Sequence, residues 1–299
     1  MVSLDKKTKR NIKEFIPDYL KFMKINSLPD FDIKTLKGNT GSLRVDFETD
    51  KPVLYIEDTY TSILKSNSKA GIFHEFTHIL DHFLLLPELT KEEREPLVKM
   101  YCEYHAMEVQ MKQSLHFNTY YDTYNFQFST SVHDWFDNKT VKEDIIYKTK
   151  DYLATIKSIA KEQKDGYLYN LLLHSIYYIG QSDFWIKYCK DNVESYIINA
   201  IFPQMFGDDY NLYHSYLKSP QNTEAYFRIL YLYQSNMIRH YLLNNGNNFV
   251  QSIKYNQQIV VVNSTRVNSK NSQFRRSTQI NKKRQVKVLM FRKSCVRNG

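Results

Sequence analysis

The sequence predicts an α+β fold that is mainly helical. A small N-terminal antiparallel hairpin or sheet packs on a helix carrying His-Glu-x-x-His, and a helical C-terminal region follows. Three observations lead there. Glycine and proline are scarce, 8 and 7 among 299 residues, which favours helices over tight turns. Two short segments with strand character, "SLRVDF" (42–47) and "VLYIE" (53–57), flank the turn-like "ETDKP" (48–52). No Pro or Gly interrupts the chain between 97 and 165. A hydrophobic content of 42% is enough to build a packed core.

Taken in order, residues 5–25 read as helix, with Ile12, Phe15, Ile16, Leu20 and Phe22 set among charges. Pro17 kinks this segment or starts a second short helix. "NSLPDFD" (26–32) ends it. In 42–47 the alternation puts Leu43, Val45 and Phe47 on one face, as in a half-buried strand, and 53–57 is the returning strand. The next helix holds "GIFHEFTHILDHF" (71–83), and "LLLPELT" (84–90) leaves it. Thr90 with Glu93 forms a capping box for a further helix, and Pro96 either kinks that helix or restarts it. The polar, aromatic segment 118–140 reads as a long loop with a little extended structure. From 141 to about 245 the pattern is helical, interrupted near Gly166, Gly180–Asp183, Pro203–Asp209 and Pro220. After "NNGNN" (244–248) the composition shifts to Asn, Ser, Gln and basic residues. The expected organisation is therefore a domain at 1–117, a connecting loop at 118–140, a helical region at 141–248 and a basic, disordered tail at 249–299.

Charge is unevenly spread. Residues 251–299 hold twelve of the 41 basic residues and none of the 32 acidic ones, so residues 1–250 carry a net charge of −3. The body gives no general reason to expect nucleic-acid binding; only the tail, 251–299, could bind a polyanion through charge. No run of 18 apolar residues exists, so no membrane span is expected. The N-terminal "MVSLDKKTKRNIKEF" has no apolar h-region, and the three cysteines match no disulfide or CxxC pattern. The expected location is the cytoplasm.

The chemistry concentrates in 71–83. His74 and His78 are four apart, so on a helix they sit one above the other and can share a tetrahedral metal ion. Glu75 projects beside them as a candidate general base. Stepping about 100° per residue gathers Ile72, Phe73, Phe76, Ile79, Leu80, Phe83 and Leu84 on one side. His74, Glu75, His78, Asp81 and His82 occupy the other, and carry three of the nine histidines. A solvated polar face would usually be built from Lys, Glu, Gln and Ser instead. A catalytic zinc needs three protein ligands and one open position. Position 84 is Leu, which excludes the long HExxHxxGxxH pattern. Asp81 suits a supporting role, orienting a histidine. The next helix, "MYCEYHAMEVQMKQSL" (100–115), offers Glu103 on a mixed face with Met100, Ala106 and Met107. Glu108 lies on the far side with Tyr101, His105 and Lys112. The wheel separates the two carboxylates and buries neither.

"HEFTHILDH" followed about 25 residues later by "EYHA" resembles the ImmA/IrrE type of gluzincin metallopeptidase, over about residues 5–115. Members show HExxH, often with a further histidine, and a downstream E-x-x-A helix. The segment "SLRVDFETDKPVLYIED" resembles the family's small sheet. Two places depart from the pattern: Phe76 and Thr77 are bulkier than usual, and Met107 stands where Asn commonly follows E-x-x-A. Carried over by position, the resemblance implies His74, His78 and Glu103 as ligands of one Zn2+ per chain. It implies Glu75 as general base and His82 as the extra histidine. His82 and Asp81 are then candidates for supporting the site or stabilising an oxyanion, as are a nearby Tyr and His133. The implied activity is zinc-dependent hydrolysis of peptide bonds in an intracellular protein, such as a repressor of a mobile element or stress regulon. An extended peptide would add to the edge of the hairpin sheet. The competing expectation is a non-catalytic regulatory protein that keeps the zinc fold and works through its helical region.

Overall fold

A computed structural model of the chain describes residues 4–37, 43–47, 51–57, 69–133 and 138–253. The basic tail from 254 onward, most of the 48–52 turn and the side chain of His133 lie outside these residues. The fold is mainly helical with a small sheet.

Helix α1 (Leu4–Glu14) and helix α2 (Ile16–Met23) meet at Phe15, and Pro17 sits in the first turn of α2, where its missing N–H costs nothing. Strands β2 (Leu43–Asp46) and β3 (Val53–Glu57) form the expected antiparallel pair, with Val45 opposite Leu54. Sequence reading missed β1 (Asp32–Leu36), which pairs in parallel with β3 and makes β3 the central strand. Leu54 and Ile56 of β3 are fully buried as a result.

Helix α3 (Lys69–Leu84) carries the histidine motif and touches β2. It is supported from the apolar side by α2. Tyr19 meets Phe73 and Phe76 edge-on at 5.1 and 5.4 Å, and its hydroxyl lies 3.1 Å from Thr77 Oγ1. The opposite side of α3 is also covered, because helix α4 (Lys91–Ser114) lies on it. Phe83 and Leu84, assigned by the wheel to the apolar side, are exposed at the helix end. Thr90 and Glu93 form the capping box that starts α4, which runs through Pro96.

Within 118–140, strands β4 (Ser131–His133) and β5 (Asn138–Thr140) pair antiparallel. Helix α5 (Val141–Glu162) starts at a second capping box, Thr140 with Glu143. Helix α6 (Tyr167–Tyr188) packs on both α4 and α5. It does not break at Gly180–Asp183. A Cβ at Gly180 would stand 3.2 Å from Met107 Cβ, so the missing side chain lets α6 close on α4. Helices α7 (Ile201–Phe206), α8 (Asp209–Lys218) and α9 (Glu224–Leu243) follow, and α9 reaches back to α4. Helix α10 (Gly246–Ser252) spans the compositional boundary at 248–249 and packs on α5 with Val250 fully buried. One hydrophobic core includes residues on both sides of 117 and of 140, from Ile12 to Val250.

Candidate metal centre

Four-residue spacing on α3 places His74 Nε2 and His78 Nε2 3.0 Å apart, with the rings edge-on at 4.7 Å. Glu103 of α4 points between them. Its Oε2 lies 3.1 Å from His78 Nε2 and 3.7 Å from His74 Nε2. An ion held by bonds of about 2.0–2.1 Å in tetrahedral geometry keeps its ligand atoms about 3.3 Å apart. The three observed edges bracket that value, so two imidazoles and a carboxylate fit one metal ion. Burial fits as well: His74 is 7% exposed and Glu103 8%. Burial alone would push the Glu103 carboxyl up. The charge of the His78 imidazole and contacts to both histidines outweigh it and hold the group well below the usual carboxylate range. His74 Nδ1 is buried with no hydrogen-bond partner among the described residues.

Glu75 is next to these groups and buried. Its Oε2 accepts a hydrogen bond from Val45 N–H at 2.8 Å. Strand β2 lies at the edge of the three-stranded sheet, so this N–H turns to α3 instead of to β3.

Sequence reading missed the contribution of α6. Tyr177 donates its hydroxyl to Glu103 Oε2 at 2.8 Å, and its ring lies 6.1 Å from the His74 ring. Burial first, and the Glu103 charge second, push its phenol well above the usual range, so it remains a proton donor. His174, one turn earlier, lies edge-on to Tyr177. Burial pushes its pKa down, against the opposing pull of Glu103. A signal was present: in "LLLHSIYYIG" (171–180) His174 and Tyr177 stand three apart in a mainly apolar helix.

The other candidates have different partners. Asp81 does hold a histidine, but it is His105 of α4, whose Nδ1 lies 2.9 Å and 3.1 Å from its two oxygens. This pair ties α3 to α4 beside the cluster. His82 stacks on Phe47 at 4.0 Å, and its Nε2 lies 3.2 Å from the Arg94 guanidinium. Burial, then the charges of Arg94 and Lys91, lower its pKa to about 4, so it is neutral near pH 7 and accepts from Arg94. Glu108, on the far side of α4, receives the Tyr120 hydroxyl at 3.0 Å. Lys112, on the same side, is buried against the Phe117, Tyr120 and Tyr188 rings. It donates to the backbone carbonyls of Tyr120 and Asp122. Both sides of α4 are thus buried, which a two-sided wheel does not anticipate. None of the described helices is long and apolar enough to cross a membrane.

No protein-family model matches the chain, and no significant match exists among curated proteins or solved structures.

Proposed function

We propose that this chain is a zinc-dependent metallopeptidase of the ImmA/IrrE type, acting in the cytoplasm on an intracellular protein. The resemblance of "HEFTHILDH" and "EYHA" to that family supplies the reaction and the kind of target. The observation that carries the reading is the convergence of His74, His78 and Glu103 at spacings suited to one ion, with buried Glu75 following His74 on the same helix. Two imidazoles and one carboxylate leave a tetrahedral ion one open position, the arrangement of a catalytic site and not of a closed structural one.

A bound zinc ion would acidify a water and polarise a carbonyl oxygen. Glu75 takes the proton of the attacking water and passes it to the leaving amine. Its bond to Val45 N–H keeps the carboxylate beside the β2 edge. A peptide lying extended along that edge brings its scissile carbonyl to the same place and uses main-chain hydrogen bonds for affinity. Proximity of the base to the docking edge is what the α3–β2 contact contributes.

Glu75→Gln separates this reading from a non-catalytic zinc-fold regulator. The variant should retain metal and lose about 10²–10⁴-fold in cleavage of a candidate repressor, the range typical of one acid–base group. If the wild type holds zinc yet cleaves no partner protein, and Glu75→Gln behaves identically, the regulatory reading replaces this one.

A further inference from the structure

We infer that Tyr177 is a positioning residue of the metal centre, so that helix α6 forms part of the site. The inference rests on reading His74, His78 and Glu103 as metal ligands. The Tyr177 hydroxyl donates to Oε2 of Glu103, the same oxygen that faces both imidazoles. A carboxylate oxygen has two lone pairs, so it can accept one O–H and still bind an ion. Holding that oxygen removes the free rotation Glu103 would otherwise lose on binding, and fixes which oxygen faces the histidines. The tyrosine itself has little freedom: its helix is locked onto α4 one turn further on, at the Gly180–Met107 contact. Glu103 is therefore held by α6 as well as facing α3, and α6 lies outside the 5–115 span of the family resemblance.

Outer partners of this kind typically set metal affinity by about 10–100-fold. The test is a zinc titration of metal-free wild type, Tyr177→Phe and Tyr169→Phe against a chromophoric chelator, with cobalt(II) absorption as a second reading of the ligand set. Tyr169→Phe is the matched control, because it removes a buried hydroxyl from the same helix that has no hydrogen-bond partner among the described residues. The expected result is about 10–100-fold weaker zinc binding by Tyr177→Phe, an altered cobalt spectrum, and wild-type affinity for Tyr169→Phe. Wild-type affinity in Tyr177→Phe would overturn the inference, as would equal losses in both variants, which would point to general loosening of α6. A wild-type protein that takes up no divalent ion would overturn the metal reading itself, and this inference with it.

Discussion

Two buried carboxylates sit on either side of the α4–α6 contact, and they are finished differently. Asp183 of α6 receives the Tyr104 hydroxyl at 2.9 Å, His214 Nε2 at 2.7 Å and Lys218 Nζ at 3.2 Å. Its charge is answered by protein groups, and one of them, Lys218, reaches the surface. Glu103 receives one hydroxyl and faces two imidazole nitrogens that are also 3.0 Å from each other. At that distance one ring can donate to the other, or both can turn their lone pairs to a cation. Similar residue types thus build a closed brace in one place and a group that could hold a metal ion in the other. The difference lies in which partner completes the charge balance, since a buried carboxylate without one is costly.

The strongest way to break this comparison is a pair of substitutions. Glu103→Gln should abolish stoichiometric metal binding after dialysis, because the amide removes the one anionic ligand of the cluster. Asp183→Ala should do the reverse. Metal content stays at the wild-type level, and urea denaturation shows a loss of about 3 kcal/mol from a broken buried pair. Loss of metal in both variants would mean that the two carboxylates belong to one coupled unit.

How much of this was legible follows from which residues take their meaning from local sequence. The hairpin and the motif helix were readable because alternation and four-residue spacing are local. Strand β1 was not, since only Ile33 of its five residues is buried and its partner β3 lies about twenty residues on in parallel. Glu103 was visible as a mixed-face carboxylate, and family resemblance, not periodicity, selected it. The wheel placed Lys112 and His105 on the side of α4 away from Glu103 without burying either; Lys112 is buried, and His105 half-buried, by partners that only the tertiary fold supplies. Gly180 and Tyr177 were hidden for the same reason. A glycine in a helical run reads as a break, whereas here it marks a close helix crossing.

Gly180 also links the two centres. Tyr177 lies three residues before it and Asp183 three residues after, and the facing Met107 and Tyr104 flank the crossing on α4. Gly180→Val should force α6 away from α4. Overpacking of this kind costs about 1–3 kcal/mol, offset in part by a few tenths from better helix propensity. Zinc titration and urea denaturation of this one variant should then both move, in contrast to the single-centre substitutions. A variant as stable as wild type with unchanged zinc affinity would mean that the crossing absorbs the side chain and that the centres do not depend on it.

His82 offers the smallest and sharpest test, because it belongs to neither kind of centre. It is lowered from 6.5 to about 4 by burial and by the nearby Arg94 and Lys91 charges. Between those two pH values the unfolded chain binds its proton and the folded chain does not. Stability is therefore complete above about pH 6.5 and falls as pH drops towards 4. The ring is only partly buried, so screening reduces the effect to about 1 kcal/mol. His82→Phe keeps the stack on Phe47 and has nothing to titrate. In metal-free protein its stability should decline less steeply than wild type from pH 6.5 to 4, with the two curves parallel above pH 7. Parallel curves throughout would place the acid sensitivity elsewhere and show that Arg94 accommodates a charged His82.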